Sequence, residues 1–266
     1  MHQPPADPST GIVSEDPWSQ LKSFTQARIA LGRVGSSLPT QEVLDFSLSH
    51  ALARDAVHLG LDTQALMAQI QATLSVEVHQ VHSKAPDRAS YLLRPDWGRQ
   101  LSEDSGLHLK AAKPKQTIDL LLVVADGLSS LAIKNHALPL LQEIHAQAPA
   151  EWQLGPVVIA SQARVALADE VGEMLGANMV AMLIGERPGL SSPDSLGIYL
   201  THQPRLGRSD ADRNCISNVR PDGLGYAAAA KKLLWLAKEA NRLKLSGVAL
   251  KDESDVVMVQ DASSCQ

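Results

Sequence analysis

The chain has 266 residues, 44% hydrophobic and 20% charged, which gives room for one large or two modest domains with real cores. A net charge of −5 and only 3% aromatic residues provide neither a basic field for phosphate backbones nor a stacking surface for single strands, so no nucleic-acid partner is expected. Two cysteines, Cys215 and Cys265, make no disulfide framework and no metal cluster. No apolar run approaches the ~18 residues of a membrane span, and the N-terminus lacks a basic stretch followed by an apolar core. The chain reads as cytoplasmic, with no membrane partner.

In chain order, residues 1–20 carry Pro4, Pro5, Pro8 and Pro17 among small polar residues and read as a flexible tail. From 21 to about 99 the pattern is helical. Thr40 after Pro39 is a candidate N-cap, and Leu44, Leu48, Ala51 and Leu52 recur at three-to-four spacing on one face. A second helix is expected over 61–78, with Leu66, Ile70 and Leu74 in register. After Arg99 the period changes. Residues 118–125 form a continuous apolar run ending in Asp126-Gly127, and a helical segment with Leu138, Leu141 and Ile144 follows. Strands are expected over 156–160 and 179–184 and around Ile198-Tyr199, and helices over 167–175 and 226–243. Continuous apolar strands alternating with helices imply a mainly parallel sheet covered on both faces. The expected fold is therefore α/β: a helical N-terminal domain over 21–100, a doubly wound Rossmann-like domain over 101–252, and a loose acidic tail over 253–266.

The stretch from Leu183 to Asn218 concentrates the unusual chemistry. An apolar strand breaks into Gly185-Glu186-Arg187-Pro188-Gly189, and loops leaving the carboxyl ends of strands are where open α/β sheets bind ligands. The spacing is not that of a phosphate loop, because Leu190 stands at the second glycine position and no Lys follows. Glu186-Arg187 reads either as an ion pair at a strand end or as a ligand contact. Asp126-Gly127-Leu128-Ser129 suits a helix cap and a ligand contact equally, and Leu131 rules out a nucleophile elbow. Cys215 reads as a small apolar side chain, not a nucleophile. His79 and His82 lack a third metal ligand and are expected on a solvated helix surface. Arg88, Arg94 and Arg99, near a Pro-Asp-Trp-Gly turn, suit an anion or, preferably, a tie between the two domains. No nucleophile–base pair for a hydrolase is found, and no catalytic or metal-binding residue is assigned.

Several blocks, in one order over about 220 residues, resemble the light chain of ethanolamine ammonia-lyase. They include Thr25 to Ile29, Gly32-Arg33, Pro39-Thr40, Tyr91-Leu92 with Arg94-Pro95-Asp96 and Gly98-Arg99, and Asp126 to Ser129. The most specific are Gly185-Glu186-Arg187-Pro188-Gly189-Leu190 and Arg213-Asn214-Cys215-Ile216-Ser217-Asn218, followed by Ser246-Gly247. The resemblance implies an adenosylcobalamin-dependent radical lyase that converts ethanolamine to acetaldehyde and ammonia. It also implies a heavy-chain partner that carries the substrate site, and assembly as a hexamer of heavy–light pairs. Cofactor contacts of that family fall on Val165, Glu186 and Cys215, with Cys215 doing no redox work. Asp55, His58 and Gly60 do not match the Asp-x-His-x-x-Gly motif of other cobalamin proteins, so no axial histidine is expected. The first ~20 residues lack an amphipathic stripe, so a free enzyme is expected over one packed in a bacterial microcompartment. The rival reading is a non-enzymatic α/β module that binds cobalamin or a metabolite.

Overall fold

The computed structural model describes residues 16–25 and 27–254, so the expected terminal tails and Cys265 lie largely or wholly outside the described residues. Two compact units divide between Asp55 and Ala56, with Gly189–Ser192 assigned to the first. Among the described residues no helix is long and apolar enough to cross a membrane.

The first unit contains a 3-10 turn, Ser19–Phe24, and most of helix α1, Thr40–His58. Arg28 braces the helix, donating to the Glu42 carbonyl and the Ser49 hydroxyl while its guanidinium lies 5.3 Å from the Phe46 ring centroid. The apolar stripe expected on this helix is present but uncovered: Leu44, Leu48 and Leu52 are 58%, 59% and 50% exposed.

The second unit is the α/β body. Helix α2, Thr63–Leu74, begins at Asp62, whose carboxylate accepts from the Ala65 N–H. It stops where Ser75 turns left-handed (φ 54°), four residues short of the expected end, and the chain then runs into strand β1, Val78–His82. This corrects the helical reading of that segment: His79 and His82 lie on a strand, His79 buried and His82 exposed. Helices α3, Arg88–Leu93, and α4, Glu103–Ala111, lead to strand β2, Ile118–Ala125. Then follow α5, Ser130–Gln147; β3, Leu154–Ser161; α6, Leu167–Leu175; β4, Ala177–Gly185; β5, Leu196–His202; β6, Arg213–Val219; and α7, Tyr226–Leu243.

The six strands lie in the order β1-β3-β2-β4-β5-β6. The first four run parallel, and β5 and β6 are added antiparallel. Strand β2 sits inside the parallel part and is buried on both faces, which is why its sequence is continuously apolar. Alternation divides its side chains. Leu120, Leu122 and Val124 join the core with α2, α5 and α7, whereas Leu121, Val123 and Ala125 join that with α4 and α6. The expected doubly wound, mainly parallel sheet is therefore present, with a reversed pair at one edge.

Candidate functional site

The carboxyl ends of β2, β3 and β4 come together at one end of the sheet. The turn after β2 meets the end of β4, where the Leu128 N–H donates to the Gly185 carbonyl at 2.9 Å. Gly127 has φ +54°, and a Cβ there would strike the Gly185 carbonyl and Ile184; a Cβ on Gly185 would strike the Ser129 and Asp126 carbonyls. Both glycines are thus required by backbone-to-backbone contact.

The turn after β2 both caps the next helix, through Ser129, and lines the cavity, through Gly127 and Leu128, while Asp126 serves the fold. Its buried carboxylate accepts the Gln162 and Ala163 N–H groups at 2.9 and 3.1 Å and pairs with Arg88 at 3.3 Å. It latches the end of β2 to the loop after β3. Burial raises its carboxyl above the ordinary range, against the opposing pull of Arg88 and the amides. Ser129 is the helix cap, accepting from the Ala132 N–H while its hydroxyl donates to the Pro193 carbonyl. Arg88 also donates to the carbonyls of Val57 and Gly127. Arg94 instead pairs locally with Asp96, and neither it nor the exposed Arg99 joins Arg88 in a cluster.

Between these strand ends is an open cavity of about 420 Å³. Val165 and Glu186 line it, together with Tyr91, Arg164, Arg187 and Tyr199. Glu186 follows directly on β4. Its N–H donates to the Ser195 carbonyl at 3.0 Å, and its Oε2 accepts the Asn218 N–H at 3.2 Å. The far end of the same loop is anchored: Asp194 Oδ2 lies 3.1 Å from His136 Nε2, and His136 Nδ1 lies 2.8 Å from the Tyr226 hydroxyl. Cys215 does not line the cavity. It stands opposite Tyr199 in the β5–β6 register and is exposed. Shielding by the surrounding protein pushes the Cys215 thiol up, and the nearby Glu186 adds to this against an opposing pull from Tyr199. The Tyr199 hydroxyl is also pushed up, by burial first and then by Cys215 and Glu186. A thiol held neutral is not a nucleophile at neutral pH.

Tyr91 and Arg164 form the other wall. The buried Tyr91 hydroxyl donates to the Ala163 carbonyl at 3.1 Å, and the guanidiniums of Arg164 and Arg88 lie 4.4 and 4.9 Å from its ring centroid. The Arg164 stem runs against Gly98, where a Cβ would stand 2.9 Å from its Cγ. Its Nε is buried without a partner among the described residues, as are Arg88 Nη2 and Arg213 Nε. Arg213, by contrast, is buried in an ion pair with Asp169, and Asn214 ties β6 to Gly247 and Leu250. Most of the Arg213–Asn218 motif is scaffolding behind Cys215 and the Asn218 amide. Sequence reasoning missed Tyr199 and Arg164 as wall residues. Tyr199 carried no signal beyond its strand, and Arg164 only its place beside Val165.

The model of the ethanolamine ammonia-lyase light chain (EutC) family matches residues 15–251. The chain belongs to this family. It is 54% identical over 259 residues to the ethanolamine ammonia-lyase small subunit of Pseudomonas fluorescens (strain Pf0-1), covering 96% of this chain and 92% of that protein. It is also 54% identical over 257 residues to the small subunit of Ralstonia nicotianae, covering 96% of this chain and 95% of that protein. For the small subunit of Azotobacter vinelandii the identity is 54% over 255 residues, with coverage of 95% and 94%.

Proposed function

We propose that this light-chain family member is the small subunit of an adenosylcobalamin-dependent ethanolamine ammonia-lyase, and that its cavity grips one part of the cofactor against a large subunit. The observation that carries the reading is one cavity at the carboxyl ends of parallel strands that Val165, Glu186 and Arg164 line together, with Cys215 beside Tyr199 at its edge.

The residues suit such a ligand. At about 420 Å³ and open to solvent, the cavity takes one portion of a molecule as large as cobalamin and needs a second chain to enclose the rest. A corrin ring is rimmed by neutral amides. Glu186 is an acceptor for their N–H groups, and Val165 and the tyrosine rings offer flat apolar contact. Arg164, which lines the cavity without a carboxylate partner among the described residues, offers a guanidinium donor to a ligand acceptor. When bound, adenosylcobalamin supplies the homolysable cobalt–carbon bond of the radical reaction. This chain's share of the work is positional: Glu186 and Val165 bear on the cofactor, the Asp126–Arg88 latch keeps the β3 loop in place, and Cys215 packs without redox chemistry. Substrate binding and radical steps belong to the large subunit, and a hexamer of large–small pairs is the expected assembly. The uncovered stripe of α1 supports a partner, since an apolar helix face left in water marks an interaction surface.

The test is acetaldehyde and ammonia release from ethanolamine and adenosylcobalamin by this chain, by the cognate large subunit, and by both together. Turnover only in the mixture is expected. A folded, cofactor-loaded mixture without turnover would return the chain to a corrinoid-binding module with no lyase role.

A further inference from the structure

The charges around the cavity do not balance. Arg164 and Arg187 both line it, and among the described residues no carboxylate lies within ion-pair distance of either. Arg88, the third guanidinium nearby, is committed to Asp126. The single carboxylate in the wall, Glu186, already accepts the Asn218 N–H. Arg164 is also held in place: its backbone N–H donates to the Gly98 carbonyl at 2.7 Å, its stem is confined by Gly98, and its guanidinium rests against Tyr91. A fixed, unpaired guanidinium in a cavity is a site for a planar-matching oxyanion, phosphate or carboxylate. The excess positive charge disfavours ethanolamine, itself a cation, on this wall. On a cobalamin, whose rim amides are neutral, the only anionic group outside the cobalt-bound macrocycle is the phosphodiester of the nucleotide loop.

We infer that Arg164, assisted by Arg187, is the anion subsite of this cavity and receives the cofactor's phosphodiester, so that this chain grips the nucleotide loop. This rests on the cobalamin reading above. It assigns the corrinoid's charged arm to the β3–α6 loop and leaves the amide rim to Glu186.

The experiment uses the reconstituted large–small complex and measures binding by equilibrium dialysis, independent of turnover. Three probes are compared: adenosylcobalamin, adenosylcobinamide phosphate, which keeps a phosphate but lacks the base, and adenosylcobinamide, which lacks both. Arg164→Gln is expected to weaken the two phosphate-bearing probes about tenfold to a hundredfold and to leave adenosylcobinamide within about twofold, since a charged hydrogen-bonded pair is what is lost. Arg187→Gln gives a smaller loss in the same pattern, and Arg164→Lys recovers part of the discrimination. Equal weakening of all three probes would mean that Arg164 only supports the fold and would overturn the inference. So would unchanged binding of the phosphate-bearing pair. Glu186→Gln separates the two levels: it is expected to weaken all three probes alike. A wild-type complex that binds none of them sinks the cobalamin reading and this subsite with it; corrinoid binding that ignores Arg164 sinks the subsite alone.

Discussion

Replacing Asp126 with Ala tests whether the latch at the strand ends holds the site together. The carboxylate serves three donors, the Gln162 and Ala163 amides at 2.9 and 3.1 Å and Arg88 at 3.3 Å. Removing one member of a buried charged pair typically costs about 3–5 kcal/mol, because the other charge is left buried. Two orphaned amides would add about 1–3 kcal/mol each if they stayed dry, so rehydration of the vacated space decides where the total falls. Taking the pair figure as the whole, the loss is a large share of a typical stability of about 5–15 kcal/mol. It corresponds to a fall of roughly 10 °C in Tm. Urea and thermal unfolding followed by circular dichroism would measure it, together with a cycle of Asp126→Ala, Arg88→Ala and the double variant. The double variant should cost clearly less than the sum of the singles. A loss below about 1 kcal/mol, or strict additivity, would show that the latch does not exist as described.

Further consequences can be checked separately. Gly127→Ala should destabilise the chain by about 1–3 kcal/mol or more, since it combines φ +54° with a clash against the Gly185 backbone, and loss of cobalamin binding should accompany the fall in Tm. Burial lowers the affinity of His79, His145 and His202 for protons below the ordinary 6.5. The unfolded chain then binds more protons as pH falls through 6.5, so stability present above that pH should decline below it, and His79→Gln should flatten the slope of Tm against pH. Cys215 should react slowly with a disulfide reagent at pH 7 despite its exposure, and Cys215→Ala should keep most of the turnover of the mixed subunits. Leu44→Asp with Leu48→Asp should weaken association with the large subunit in analytical ultracentrifugation while leaving the unfolding of the α/β body unchanged.

What was legible in the sequence depended on burial. Strand β2 and helices α6 and α7 have the periods that two-sided or one-sided burial imposes, and their expected limits agree with the structure at or near every end. Strands β1 and β6 lie at the two edges of the sheet, where alternation with polar residues is tolerated and the apolar run that marks a strand is missing. Two histidines made β1 look like helix surface, and β6, carrying Arg213, Asn214 and Ser217, gave no strand signal at all. The strand-end position of Glu186 was visible from the break in β4. The latch was not, because Arg88, Asp126 and Ala163 are far apart in the chain and only the crossing order of the sheet brings them together. Tyr199 likewise becomes a wall residue only because β5 reverses beside β4.

The scarcity of aromatic side chains has a practical consequence. The chain contains only three tyrosines, and two of them, Tyr91 and Tyr199, front the cavity while Tyr226 lies at the start of α7 away from it. Incorporating fluorotyrosine would therefore give a three-line ¹⁹F spectrum with its own internal reference. Two resonances would sense a ligand entering from either wall, and the third would report whether the scaffold had moved.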